Sequence, residues 1–281
     1  KNDQFLNVLL MWNKKTDKYK NLVKITKQIR QTEYDYVINL QRFAASGYMT
    51  KRAKAKEKRG FDKNPFAFSY TKKYKHDIGN GKHEVIRNLE LVSDFTDDKL
   101  LRPKLYPTPA DFEAVNEYQN GDYICIAPTS VWHTKQLPAE KWIELINRFP
   151  ESTRICLLGG PPDADACTSI QRRSYNKNVV NLAGKLSFLQ SAALMQGAKM
   201  NYVNDSAPMH MASAMNAPTT AYFCSTIPEF GFGPLSDDSK IIQLEEDLDC
   251  RPCGLHGLRA CPKGHFKCAL GIDMEKSDLP A

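Results

Sequence analysis

The run Asn204-Asp205-Ser206-Ala207-Pro208-Met209-His210 gathers an aspartate, a serine and a histidine around one turn. It follows a short apolar stretch, Met200 to Val203, and Ser206 with Pro208 marks the start of a helix. A helix that opens at the carboxyl end of a strand presents N–H groups and the positive end of its dipole to a crevice. A carboxylate such as Asp205 suits the hydroxyls of a sugar. The helix end and His210, about one turn beyond Ser206, suit a diphosphate. The same residues also fit a plain strand-to-helix connection in which Asp205 and Ser206 only cap the helix.

Two further stretches carry comparable chemistry. Ala127-Pro128-Thr129-Ser130 leads on to Thr134-Lys135-Gln136-Leu137-Pro138, placing hydroxyls and one lysine just after a strand, where a phosphate can be held. A lone loop lysine is more commonly just solvated, so Lys135 by itself decides nothing. Gly159-Gly160-Pro161-Pro162-Asp163 forms a tight turn that brings backbone close to a ligand. It is not G-x-G-x-x-G, and no Walker loop, nucleophile elbow or H-E-x-x-H occurs. Each stretch is weak alone; the case rests on all three meeting at one edge of one sheet.

The elements that must position them read as alternating strands and helices. In the second half, strands are expected over 123–127, 154–158, 179–182, 200–203, 219–223 and 240–243. Helices are expected over 139–149, 163–173 and 187–196, and from Ser206 onward. That alternation implies a doubly wound α/β domain whose strand ends share one edge. The first half opens with an expected buried strand over Asn7 to Trp12, a basic helix over Lys18 to Gln31 and a strand over Tyr36 to Leu40. A helix start at Ala44, the dense basic run Lys51 to Arg59, a turn-rich loop and an amphipathic helix over His83 to Phe95 follow. Pro103, Pro107 and Pro109 mark a linker, which sets the expected domains at 1–110 and 111–281.

Composition is that of a water-soluble globular chain, and no run is long and apolar enough for a membrane span. Charge is uneven. Residues 1–110 carry 24 Lys and Arg against 12 Asp and Glu, while the remainder is net acidic, so an anionic partner is expected to meet the first half. All eight cysteines lie in the second half. Cys125 and Cys156 sit inside strand-like apolar runs and read as buried reduced thiols, which suits a reducing cytoplasm. The tail, Cys250-x2-Cys253-x7-Cys261-x6-Cys268, admits three readings: a structural Zn site, packing thiols or disulfides, none of them catalytic.

Taken together, these motifs resemble glycosyltransferase family 9, the ADP-heptose:lipopolysaccharide heptosyltransferases. The likeness is carried by A-P-T-S…T-K-Q-L-P-A-E-K-W at 127–142, L-G-G-P-P-D at 158–163, N-L-A-G-K-L-S at 181–187, N-D-S-A-P-M-H at 204–210 and the Cys tail. It is looser in the first half, at Y-D-Y-V-I-N-L-Q-R and H-E-V-I-R-N. The resemblance implies a GT-B fold, two Rossmann-like domains with the active site in the cleft between them. The donor would lie on the second domain and the acceptor on the first. Lys135 and the Thr129/Ser130 loop would meet the donor phosphates, and Asp163 would stand near the adenosine. Asp205 would hold the heptose hydroxyls, with Ser206, Ala207 and His210 around the diphosphate. Ala207 stands where the family usually has Gly.

The resemblance further implies an inverting transfer from ADP-heptose to the acidic inner core of lipopolysaccharide. No cofactor is required for that transfer, and the chain would act as a monomer at the cytoplasmic face of the inner membrane. Family members open with a strand and a Gly-Asp turn whose Asp is the presumed base. No such segment is found, so the first domain is expected to be incomplete and its catalytic base unassigned. A different class remains open: a basic nucleic-acid-binding protein with a Zn-binding tail, supported by the basic half and the Cys cluster. It leaves the crevice motifs unexplained. A GT-B transferase using another nucleotide-sugar is a third reading.

Overall fold

The computed structural model describes residues 5–97 and 99–280, and the backbone separates into two units between Leu100 and Leu101. In the first unit, α1 (Lys18–Ile29), β1 (Glu33–Asn39), α2 (Ala44–Arg52), β2 (Lys54–Phe61), β3 (Lys72–Tyr74) and α3 (Glu84–Glu90) build a small parallel sheet in the order β1-β2-β3. The register pairs Val37 with Lys58 and Asn39 with Gly60.

Two expectations fail in this unit. Residues 7–12 form no strand, and Val8 and Met11 are 73% and 77% exposed. A strand exists only by pairing its backbone, and no described strand pairs with this run. The helix expected to reach Phe95 ends at Glu90 and gives way to turns. Most of the basic run is β2, which enters the core as it proceeds, while Lys51, Arg52, Lys54 and Lys56 stay exposed. Arg59 is buried there. Its guanidinium donates to Asp94, Glu57 and the Leu91 carbonyl and lies 5.0 Å from the rings of both Tyr36 and Phe95. A delocalised cation enclosed by two carboxylates and two ring faces is the arrangement in which a buried arginine is tolerated.

The second unit contains α4 (Pro109–Glu113), β4 (Tyr123–Ala127), α5 (Ala139–Ile146), β5 (Arg154–Leu157), α6 (Ala164–Arg173) and β6 (Val179–Asn181). After these come α7 (Phe188–Gly197), β7 (Asn201–Asn204), α8 (Ala207–Met215), β8 (Thr219–Phe223), β9 (Ser239–Gln243) and the short α9 (Lys267–Leu270). All six strands are parallel, in the order β6-β5-β4-β7-β8-β9. The chain winds outward from β4 one way and from β7 the other, so the switch point lies between them.

Strand alternation divides the core. Ile124, Ile126, Ile155 and Leu157 pack with Trp142, Leu145 and Ile146 of α5 and with Cys268, Ile272 and Met274 of the tail. Tyr123, Cys125, Ala127 and Cys156 face the other way, against Leu194 and Met195 of α7 and Met209 and Ala212 of α8. A sheet covered on both faces is what parallel pairing demands. Trp142 is fully buried, and its loss would cost about 3–5 kcal/mol. All eight cysteines are free thiols; Cys125, Cys156, Cys167 and Cys224 are core residues, and burial pushes Cys156 and Cys167 up to about 12. Among the described residues no helix is long and apolar enough to cross a membrane.

Candidate functional site

The carboxyl ends of β4, β5 and β7 surround a cavity of about 500 Å³. In an open α/β sheet a crevice forms at the switch point because loops leave adjacent strands toward opposite faces. Here Asn204 holds that opening in shape. Fully buried at the end of β7, it accepts from the Leu137 N–H at 2.8 Å through Oδ1. Its Nδ2 donates to the carbonyls of Ala127 and Thr129 at 3.3 and 3.4 Å. One amide thereby fixes both ends of the loop that carries Thr129, Ser130 and Lys135. Gln136 adds a further tie by donating to the Ser130 carbonyl.

Five of the expected residues line the cavity: Thr129, Ser130, Asp163, Ser206 and Ala207. Asp163 is occupied in its own turn, where Oδ2 accepts from the Gly160 N–H at 2.7 Å. A Cβ on Gly159 would stand 2.7 Å from the Asp163 Cβ, so this turn closes only with glycine there. Ser206 leads into α8 with extended backbone and its side chain does not cap the helix. Pro208 lacks an N–H, and Met209 donates to the Ser206 carbonyl. The helix end therefore offers the N–H groups of Ser206 and Ala207 at the cavity wall. Apolar lining comes from Leu158, Leu186, Phe188 and Met195, giving a mostly apolar slot with a polar rim, the usual character of a ligand site.

Lys135 and Asp205 stand apart from the cavity lining and face each other. Lys135 Nζ lies 2.7 Å from Asp205 Oδ2, with the side chains only 14% and 7% exposed. Thr226 Oγ1 donates to the same oxygen at 2.6 Å. His210 lies on an exposed part of α8 and is not among the cavity-lining residues. The structure thus gathers five expected residues at a slot, pairs two beside it and leaves His210 outside.

Sequence reasoning missed Thr226 and the apolar wall of α7. No spacing links Thr226 to Asp205, since they follow different strands, whereas Leu186 belongs to the N-L-A-G-K-L-S run at 181–187.

The four tail cysteines, Cys250, Cys253, Cys261 and Cys268, are unbridged. Cys250 Sγ is 3.7 Å from His265 Nε2 and Cys253 donates to the Cys250 carbonyl, but among the described residues no three His, Cys, Asp or Glu side chains are grouped to hold a metal ion.

Residues 22–256 match the sequence profile of glycosyltransferase family 9 (heptosyltransferase). The chain is 23% identical over 278 residues to lipooligosaccharide heptosyltransferase 2 of Campylobacter jejuni, covering 97% of this chain and 81% of that protein. Its fold is similar to that of the E. coli ADP-heptose lipopolysaccharide heptosyltransferase II, with a TM-score of 0.66, 21% identity and coverage of 84% of this chain and 77% of that one. An E. coli heptosyltransferase solved with ADP gives a TM-score of 0.64 at 20% identity, covering 80% and 71%. These neighbours are GT-B proteins, and the doubly wound α/β architecture is theirs.

Proposed function

The chain belongs to glycosyltransferase family 9, and we propose that it moves a heptose from ADP-heptose to the acidic inner core of lipopolysaccharide with inversion. The observation that carries the donor half of this reading is the cavity at the β4/β7 switch point with the α8 terminus in its wall. A nucleoside fits the apolar slot between Leu158, Leu186, Phe188 and Met195. Its diphosphate would lie toward Thr129, Ser130 and the N–H groups of Ser206 and Ala207. The heptose would then extend to Asp205, whose carboxylate accepts from sugar hydroxyls.

Bond cleavage at the anomeric carbon leaves negative charge on the departing nucleoside diphosphate. A helix terminus and one ammonium answer that charge without any cofactor. Lys135 is the ammonium in reach of the loop, and it now rests on Asp205. An arriving diphosphate would compete for Lys135 while the sugar engages the carboxylate that Lys135 releases. His210, on the same helix, would approach the diphosphate from outside the slot. No residue of this chain is assigned as the base that deprotonates the acceptor. The basic first unit would meet the anionic acceptor with Lys51, Arg52 and Lys54, since Arg59 is enclosed. Peripheral attachment at the cytoplasmic face of the inner membrane, as a monomer, completes the reading.

Calorimetric titration with ADP, ADP-heptose, UDP and GDP tests it. Selective binding of the two ADP ligands is expected, with ADP-heptose losing its advantage over ADP in Asp205→Ala. Equal affinity for UDP or GDP would overturn the adenine assignment, and no binding of any nucleotide would overturn the donor site.

A further inference from the structure

The tail that follows β9 touches the loop that carries Lys135 and the loop after β8 that carries Thr226, the partner of Asp205. Leu258 donates to Thr134 Oγ1 at 2.8 Å, and Thr134 N–H donates back to the Leu258 carbonyl at 3.1 Å. Ser225 closes the same knot by donating to Thr134 Oγ1 at 2.9 Å. On the other side, the Cys253 N–H donates to the Ser225 carbonyl at 2.9 Å. Arg251 Nη2 donates to the Thr226 carbonyl at 2.9 Å and to Gln243 Oε1 at 2.6 Å. Thr134, Ser225 and Thr226 are at most 1% exposed.

Gly257 shows how close this contact is. Its φ is +73°, and a Cβ built there would stand 2.8 Å from Lys135 Cγ and 3.1 Å from Thr134 Oγ1. The tail backbone therefore lies directly against the stem of Lys135. A side chain at Gly257 would be strained in itself and would also displace the lysine.

We propose that the tail segment Arg251–Leu258 is a positioning clamp for the charged pair. Gly257 and Leu258 set the path of Lys135. Arg251 and Cys253 hold the Ser225-Thr226 loop so that Thr226 Oγ1 fixes the rotamer of Asp205. Thr226 and Gly257 are positioning residues, acting through Asp205 and Lys135 respectively. The inference rests on the donor reading above, in which Asp205 meets sugar and Lys135 meets phosphate. Two lone pairs of Asp205 Oδ2 are already directed, one to Lys135 and one to Thr226, so the carboxylate presents its other oxygen in one orientation. Preorganisation of this kind appears as discrimination between ligands with and without the sugar.

The test is calorimetric titration of ADP and ADP-heptose against the parent chain, Thr226→Val, Thr226→Ser and Gly257→Ala, with thermal melts of each. Thr226→Val keeps shape and removes the hydroxyl. It should cut the advantage of ADP-heptose over ADP by about tenfold while ADP itself changes by less than about twofold. Thr226→Ser should restore that advantage. Gly257→Ala should instead weaken ADP, because it moves Lys135, and this arm stands even if the valine variant does not fold. An unchanged advantage in folded Thr226→Val, or unchanged ADP affinity in Gly257→Ala, overturns the clamp while the donor reading survives. A parent chain that binds neither ligand overturns the donor reading and the clamp with it.

Discussion

Lys135 Nζ and Asp205 Oδ2 meet at 2.7 Å in a nearly closed setting, although one residue follows β4 and the other follows β7. Removing one member leaves the other charge with little solvent. Asp205→Ala and Lys135→Met should each lower unfolding stability by about 3 kcal/mol, and the double variant by clearly less than the sum. Urea denaturation of the four proteins measures the coupling. Additive effects would mean that the two charges do not support each other.

The slot lies between α7 and α8, and Ser191 is a small residue on its wall. A phenylalanine there would project into the cavity of about 500 Å³ and take the place proposed for the nucleoside. Ser191→Phe should weaken ADP by at least about tenfold and shift the melting temperature by only a few degrees. Unaltered ADP affinity in a folded variant would place the nucleotide elsewhere.

Arg59 holds the Asp94 carboxyl well below the usual carboxylate range, with Lys72 at 3.3 Å adding to the effect. The unfolded chain therefore takes up this proton before the folded one does. Stability from the pair is complete above about pH 4, the unfolded-state value, and is lost as pH falls toward the depressed folded value. Asp94→Asn should be less stable than the parent at neutral pH, and the gap should narrow below about pH 4. Urea midpoints recorded across that range decide it; a gap independent of pH would remove Asp94 from the acid response.

Burial raises the Cys261 thiol, but the backbone N–H groups of Phe266, Lys263, Gly264 and His265 together outweigh it and leave the pKa below the ordinary value. The thiols of Cys125, Cys156, Cys167 and Cys224 are pushed up by burial. Since the thiolate is the reacting form, iodoacetamide under native conditions should label Cys261 first and the four core cysteines only on unfolding. Peptide mass spectrometry over time checks the order, and early labelling of Cys125 would contradict the packing of β4.

Much of the second unit was legible because its signals are local. β4 and β8 fall where the apolar runs Tyr123 to Ala127 and Thr219 to Phe223 place them, and α8 follows the Ser206-Pro208 start. The first unit was harder. Strand propensity in residues 7–12 came to nothing without a neighbour to pair with, and a run as basic as Lys54 to Arg59 gives no period-2 apolar signal although it forms β2. Lysine and arginine stems can cover a sheet face while Arg59 goes inside with its carboxylates, which no count of charges reveals.

By itself the sequence determined the α/β alternation, the three loops and the residue types that a sugar diphosphate calls for, because strand runs, caps and turn glycines act over a few positions. Tertiary structure alone decided how those residues are used. Thr129, Ser130, Asp163, Ser206 and Ala207 share a slot because strand order sets β5, β4 and β7 side by side. Lys135 pairs with Asp205, and Thr226 and Gly257 close around them, because contacts between distant segments depend on how loops pack, and no local pattern encodes that packing.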